Sequence, residues 1–448
     1  MFWVYNSVVI KIIRRIKTMT KRRLIGIILS LTITLSSAVF FACGGNDGGI
    51  TDAEKPSPEP IEPETLLSFD DYYLDTYVKP FWTGRFSYNE TVMFLGENDV
   101  APLLYDIEDV VAVTSYDLAT VYEAEKDYAV KDGKLLRTAN SRIPYFTEDE
   151  YYPKEYVANK MMRCLTAGKE YVLYGERDTF TSRQIAVTYT HEEGWSGFVP
   201  ESEADKLSKT MQKLESGKDI KILFYGDSIT TGANSSKKVG VKPYAETYPE
   251  MVVSALKEKY GYDEINYTVN NNKADESVSY TDSPSRGEKK IIDYINTAVG
   301  GQDSLWANAN YAARVLEFKP DLLFIAFGMN DKTRTAAFFA DKIKTLVNAI
   351  KNELPDTEIV LVSTSLPSRE AAAVNTRTPF FGHHDEFEAE LVKIAAERSD
   401  VCVAKVTSMN AEILKRKRFR DMTGNNVNHP NDYLARLYAQ TILATMGY

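Results

Sequence analysis

The chain has 448 residues, of which 44% are hydrophobic, enough for more than one domain-sized core. Its formal net charge is −10; the first 42 residues hold seven basic and no acidic groups, which leaves the remainder at 46 basic against 63 acidic, or −17. Such a surface repels phosphate backbones and excludes a nucleic-acid partner, and three cysteines, Cys43, Cys164 and Cys402, are too few for a disulfide framework.

Residues Leu24 to Ala42 are almost wholly apolar and follow Lys21-Arg22-Arg23. A charged stretch followed by an apolar one is the pattern of a secretory signal, so residues 1–42 read as a signal peptide. It ends at Phe40-Phe41-Ala42-Cys43-Gly44, which resembles a bacterial lipoprotein lipobox with Cys43 as the lipidated residue. That resemblance implies a bacterial cell-surface or periplasmic protein that meets the membrane only through its lipid. Residues 43–66 are rich in Gly, Pro and acidic groups and read as a flexible tether.

From 67 to 205 helical periodicity is scarce. Short Tyr-, Val- and Thr-rich runs are separated by turns such as Lys131-Asp132-Gly133-Lys134, and 15 of the 28 tyrosines fall here. The expectation is an all-β sandwich with no nucleophile-and-base pattern of its own. A polar, helix-prone segment, Glu201 to Lys218, leads into a second domain at 216–448. There the pattern alternates. Strands are predicted near 219–225, 265–269, 321–327, 358–363 and 401–405, and helices near 247–260, 304–318, 335–352, 385–398 and 431–445. Such alternation predicts an α/β domain with a doubly wound parallel sheet covered on both faces.

Four short segments of this domain carry chemistry. Gly226-Asp227-Ser228-Ile229-Thr230 follows the first predicted strand, which places Ser228 at the carboxyl edge of the sheet, where open α/β sheets bind their ligands. A serine hydroxyl needs a base to become a nucleophile, and the chain offers four histidines: His191, His383, His384 and His429. Acyl transfer also needs donors aimed at a developing oxyanion. Gly301, in the Gly300-Gly301 pair, and Asn330, in Gly328-Met329-Asn330-Asp331, stand at positions that can supply them. Each segment has a plainer alternative: Ser228 as a helix cap, Gly300-Gly301 as a tight loop, Asp331 as a cap. His383-His384-Asp385 has the composition of a metal cluster, but adjacent side chains diverge and no third histidine lies nearby.

In this order the four segments resemble the SGNH (GDSL-type) hydrolases, over roughly half of the chain from Asp219 onward. The resemblance implies a flavodoxin-like fold, Ser228 as nucleophile, and His429, in His429-Pro430, as general base. It also implies an oxyanion hole from Gly301, Asn330 and the Ser228 N–H, with no metal or cofactor. One departure stands out. The family's last block usually reads Asp-x-x-His, and here it is Asn426-Val427-Asn428-His429. An Asp-to-Asn change in a serine protease triad costs about four orders of magnitude in turnover. Asn426 or a backbone carbonyl could still orient His429, another carboxylate such as Asp421 could do so, or the site could be dead. A β-sandwich followed by such a domain is similar to two-domain bacterial esterases that deacetylate plant polysaccharides. The expected substrate is therefore an acetylated oligo- or polysaccharide, with Trp306 either on the rim of the site or packed in the helix. A lipid acylhydrolase and an inactive glycan-binding lipoprotein are the alternatives.

Overall fold

The computed structural model describes residues 64–272 and 289–448. The predicted signal peptide, Cys43 and most of the tether lie outside the described residues. Residues Pro58–Tyr448 form one compact unit.

Nine strands build the β-rich region: β1 (Phe86–Leu95), β2 (Val100–Ala101), β3 (Asp109–Ser115), β4 (Tyr128–Lys131), β5 (Lys134–Arg137), β6 (Tyr145–Phe146), β7 (Met161–Cys164), β8 (Tyr171–Leu173) and β9 (Gln184–Thr190). Strands β1 and β9 pair antiparallel at the centre of a four-stranded sheet of order β3-β9-β1-β6, and β2-β5-β4 form a second sheet. The predicted Lys131–Lys134 turn closes β4 onto β5. Asp132 and Gly133 both sit at positive φ (+50° and +69°), the geometry a tight two-residue hairpin needs.

The second part holds β10 (Ile220–Gly226), β11 (Glu264–Val269), β12 (Ile291–Asn296), β13 (Leu322–Ala326), β14 (Glu358–Val362), β15 (Ala371–Ala372) and β16 (Val401–Ala404). All but β15 join one parallel sheet of order β11-β12-β10-β13-β14-β16. From β12 to β16 this is the flavodoxin-like winding, with β11 added at the edge. Alternation along each strand supplies two cores. Ile222, Phe224, Leu322 and Phe324 point to one face, and Leu223, Tyr225, Leu323 and Ile325 to the other, all buried. Phe224 and Phe324, paired in register on neighbouring strands, stack with ring centroids 4.4 Å apart.

Beside a short helix at Ser236–Val239, the described residues of this part hold six helices: α1 (Tyr248–Tyr260), α2 (Ser304–Tyr311), α3 (Ala336–Glu353), α4 (His384–Ala396), α5 (Val406–Leu414) and α6 (Asp432–Thr445). Helix α1 carries its own boundaries in its sequence: a capping box between Thr247 and Glu250, Pro249 in the first turn, and Gly261 at φ +65° past the end. Phe339, Ile343, Phe387 and Leu391 of α3 and α4 cover one face, while Met251, Val252, Leu437 and Ile442 of α1 and α6 cover the other. Several elements depart from the predicted set. Strand β12 and helix α5 were not among the predicted elements, and the predicted 304–318 helix continues past Tyr311 as a wider π-type turn over Ala312–Leu316.

The β-rich region and the parallel sheet share one apolar core, in which Val92, Phe94 and Val187 meet residues of α6 such as Tyr433 and Leu437. Thirteen of the fourteen residues of α6 are buried, as expected of a helix enclosed on all sides. Polar groups specify the contact. Glu90 and Lys417 form a fully buried ion pair at 2.6 Å. Glu90 also accepts from the Leu104 N–H, the Tyr189 hydroxyl and the Ser87 hydroxyl. Strand β15, from the chain that follows β14, pairs antiparallel with β7 and so extends the β7-β8 hairpin into a third sheet.

Candidate active site

Strands β12, β10 and β13 are adjacent, and the three segments that follow their carboxyl ends meet. Ser228 lies two residues beyond β10 and is 8% exposed. The buried Asp227 before it accepts the Ile229 N–H (2.9 Å) and a further bond from the Met329 N–H, which locks the first segment to the third. Burial lifts the Asp227 carboxyl to about 7, against the Ile229 N–H and the nearby His429, which favour its charged form. The Gly300-Gly301 turn passes beside the serine: a Cβ on Gly300 would lie 3.7 Å from that of Ser228. Gly301 itself takes φ +74°, a left-handed value that suits glycine. Among the described residues, neither the Gly301 nor the Ser228 N–H donates to another backbone group. The Asn330 amide donates to the Gln302 carbonyl (2.9 Å), which ties the third segment to this turn and leaves its second N–H unspent. Asp331 accepts the Ser304 hydroxyl (2.6 Å) and N–H at the start of α2; burial raises it to about 6 although both bonds oppose that.

The imidazole arrives from the far end of the chain. His429 Nε2 is 2.9 Å from Ser228 Oγ. Its loop is organised by Asn425, whose Oδ1 accepts the backbone N–H groups of Val427, Asn428 and His429, each at 3.0 Å. The Gly424 N–H and the Thr423 hydroxyl both donate to the His429 carbonyl.

On the other side of the ring, His429 Nδ1 faces two acceptors, Asn234 Oδ1 at 2.8 Å and Glu176 Oε2 at 3.2 Å. The Asn234 Nδ2 donates to the Arg177 and Gly424 carbonyls (3.2 and 3.3 Å), so its oxygen is the atom that meets the ring. An acceptor at Nδ1 places the proton there and leaves the Nε2 lone pair for the serine hydroxyl. Gly424 permits the approach, since a Cβ at that position would come within 2.5 Å of the Asn234 Cβ. Glu176 sits in the loop between β8 and β9. Its Oε1 accepts from the Tyr174 hydroxyl (2.6 Å) and the Asn425 amide (3.2 Å). Burial alone would raise this carboxyl, but the hydrogen bond and charge of His429, with those two donors, hold it at about 2.

The expectation for Asn426 is corrected. Its backbone is left-handed (φ +65°), which turns the buried side chain away from His429: Oδ1 accepts the Tyr151 hydroxyl (2.9 Å) and Nδ2 donates to the Leu173 carbonyl (2.9 Å). Asp421 does not reach the imidazole either; it accepts the Met93 N–H and pairs with Arg418. Trp306 is half-buried and packs on Tyr225 and Phe327, at ring-centroid distances of 5.9 and 6.5 Å. His384 is buried and bonded to the Met329 carbonyl, His383 pairs with Glu386, and no metal-binding group of three or more side chains occurs among the described residues. Sequence reasoning missed Glu176, Asn234 and Asn425.

A serine hydroxyl donating to an imidazole whose far nitrogen is itself held, at the carboxyl end of a parallel sheet and beside glycine and amide donors, is an arrangement suited to acyl transfer from an ester. Residues 224–437 match the GDSL-like Lipase/Acylhydrolase family. No curated protein matches the chain. Among solved structures it is similar to a two-domain esterase (CEX) active on acetylated mannans, at 20% identity and a TM-score of 0.38, over 54% of this chain and 52% of that one, or about half of that protein's length. It is also similar to Axe2, an acetylxylan esterase from Geobacillus stearothermophilus, at 18% identity and a TM-score of 0.36, over 52% of this chain and 97% of that one.

Proposed function

We propose that the protein removes acetyl or other short acyl groups from carbohydrate through an acyl-enzyme on Ser228. The observation that carries this reading is the 2.9 Å contact between Ser228 Oγ and His429 Nε2, with Nδ1 held from behind. His429 takes the hydroxyl proton as Ser228 attacks the ester carbonyl. The oxyanion develops toward the N–H groups of Ser228 and Gly301 and the spare N–H of Asn330. Collapse breaks the ester bond, and the departing sugar oxygen takes the proton back from His429. Water, deprotonated by the same nitrogen, then attacks the acyl-serine and releases the acid. The rim supports a polar substrate: Glu176, Arg177 and Asp178, all exposed, follow one another beside the imidazole. Hydrated, charged side chains suit sugar hydroxyls better than a long acyl chain. Export and anchoring through Cys43 complete the proposal, on the strength of the basic and apolar segments before that residue.

The test is acetate release from acetylated mannan and xylan oligosaccharides, alongside hydrolysis of aryl acetate and aryl decanoate. Wild type should release acetate and favour the short ester, and Ser228→Ala should do neither while keeping its fold. Preference for the decanoate, or full activity in Ser228→Ala, would refute the reading.

A further inference from the structure

We propose that Glu176, supplied by the β-rich region, is the carboxylate that positions and charge-balances His429 in place of the missing aspartate, with Asn234 setting the tautomer beside it. This rests on the esterase reading of Ser228 and His429. The position where an aspartate would stand is occupied by Asn426, whose side chain is used up by Tyr151 and Leu173. Nδ1 is nevertheless not left to solvent. It meets a neutral acceptor at 2.8 Å and a carboxylate at 3.2 Å, so one N–H is shared between Asn234 and Glu176.

The two acceptors do different work. Asn234 is locked by its donations to two backbone carbonyls and can only accept from the ring, which fixes the tautomer but cannot offset the charge of an imidazolium. Glu176 can, because the imidazolium forms as Ser228 attacks and a carboxylate at hydrogen-bond distance stabilises it. The carboxylate is itself oriented. Tyr174 and Asn425 hold Oε1, which leaves Oε2 for the ring, and Asn425 is the same residue that shapes the His429 loop. Glu176 is 43% exposed on its side chain, so water screens the pair and its effect is smaller than that of an enclosed aspartate. The hydrolytic site is therefore split: nucleophile and base come from the domain at 216–448, and the balancing charge comes from a loop some 250 residues upstream of His429.

The experiment uses the full chain and two readouts: aryl acetate kinetics, and the rate at which a fluorophosphonate labels Ser228. Glu176→Gln keeps the shape and removes the charge. Because Asn234 still sets the tautomer, kcat and the labelling rate should fall about 10- to 100-fold, well short of a lost triad aspartate, with KM and melting temperature close to wild type. Asn234→Asp added to Glu176→Gln returns a carboxylate to the nitrogen and should recover most of the lost rate. Should that double variant fail to fold, Glu176→Asp serves instead, with a rate between those of wild type and Glu176→Gln. Wild-type rates in Glu176→Gln would overturn the assignment of Glu176 while leaving Ser228 and His429 standing. A wild type that neither hydrolyses esters nor takes the label would overturn the esterase reading, and this proposal with it.

Discussion

The buried pair Glu90–Lys417 joins the β-rich region to the segment that precedes the His429 loop, and Lys417→Met breaks it with little change in side-chain volume. Both side chains are fully buried, so the variant leaves a carboxylate unpaired where water cannot reach it. Breaking such a pair by removing one partner costs about 3–5 kcal/mol. Glu90 keeps its bonds from Leu104, Tyr189 and Ser87, which favours the lower end, about 3 kcal/mol. The unfolding entropy near the midpoint is about 2.1 cal/mol/K per residue, or ~0.8 kcal/mol/K for the 391-residue compact unit of 58–448. Melting should then drop by about 4 °C, a small shift for a large local penalty because the unit is large. Differential scanning calorimetry or a circular-dichroism melt reads it. Glu90→Gln combined with Lys417→Met removes the stranded charge and should recover more than half of the loss, a coupling that a double-mutant cycle isolates. A Lys417→Met protein that melts within 1 °C of wild type, or a double variant as unstable as the two single changes added together, would refute the argument.

Two further outcomes follow from groups beside the site. Asn426→Asp would turn a carboxylate oxygen toward the Leu173 carbonyl that Nδ2 now serves, so stability should fall by about 1–3 kcal/mol with no gain in kcat per folded molecule; a rise in kcat would show that Asn426 reaches the imidazole after all. Asp227 has its carboxyl raised to about 7, mainly by burial, so it is protonated in the folded state over a range where the unfolded chain ionises it. Its contribution is fully present below about pH 4 and is lost as pH rises through about 7. In Asp227→Asn, which cannot titrate, melting temperature compared with wild type should therefore improve steadily between pH 4 and pH 8; a constant difference across that range would contradict the assignment.

Much of the domain at 216–448 was legible because most of its strands are buried on both faces. Runs such as Leu223-Phe224-Tyr225 and Leu322-Leu323-Phe324 have no exposed side to interrupt them. Strand β12 escaped because a half-exposed Asp293 interrupts its apolar run and it lies just before the glycine segment that drew attention instead. Helix α5 begins with Val406, Thr407 and Ser408, weak helix formers that its buried setting overrides. Ser228 and His429 announced themselves through short motifs, and the structure brings them together. Glu176 could not be read that way: it is an exposed loop glutamate far upstream, and only the docking of the β-rich region brings it to the ring. Asn426 misled for the opposite reason. It has the right spacing from His429, but spacing does not report a left-handed backbone, and one residue at φ +65° sends the side chain to Tyr151.

Helix α6 has a consequence for the order in which this protein can be made. It comes after every other described element, yet its residues fill the core between the parallel sheet and the β-rich strands, and its Gln440 amide donates to the carbonyls of Tyr77 and Lys79. A chain growing from the ribosome exposes β1 to β9 long before it holds the segment that completes their packing. The β-rich strands therefore lack part of their core until α6 is added. Only with α6 in place can the β-rich region pack on the parallel sheet and set Glu176 beside His429, so the core and the candidate site are completed together.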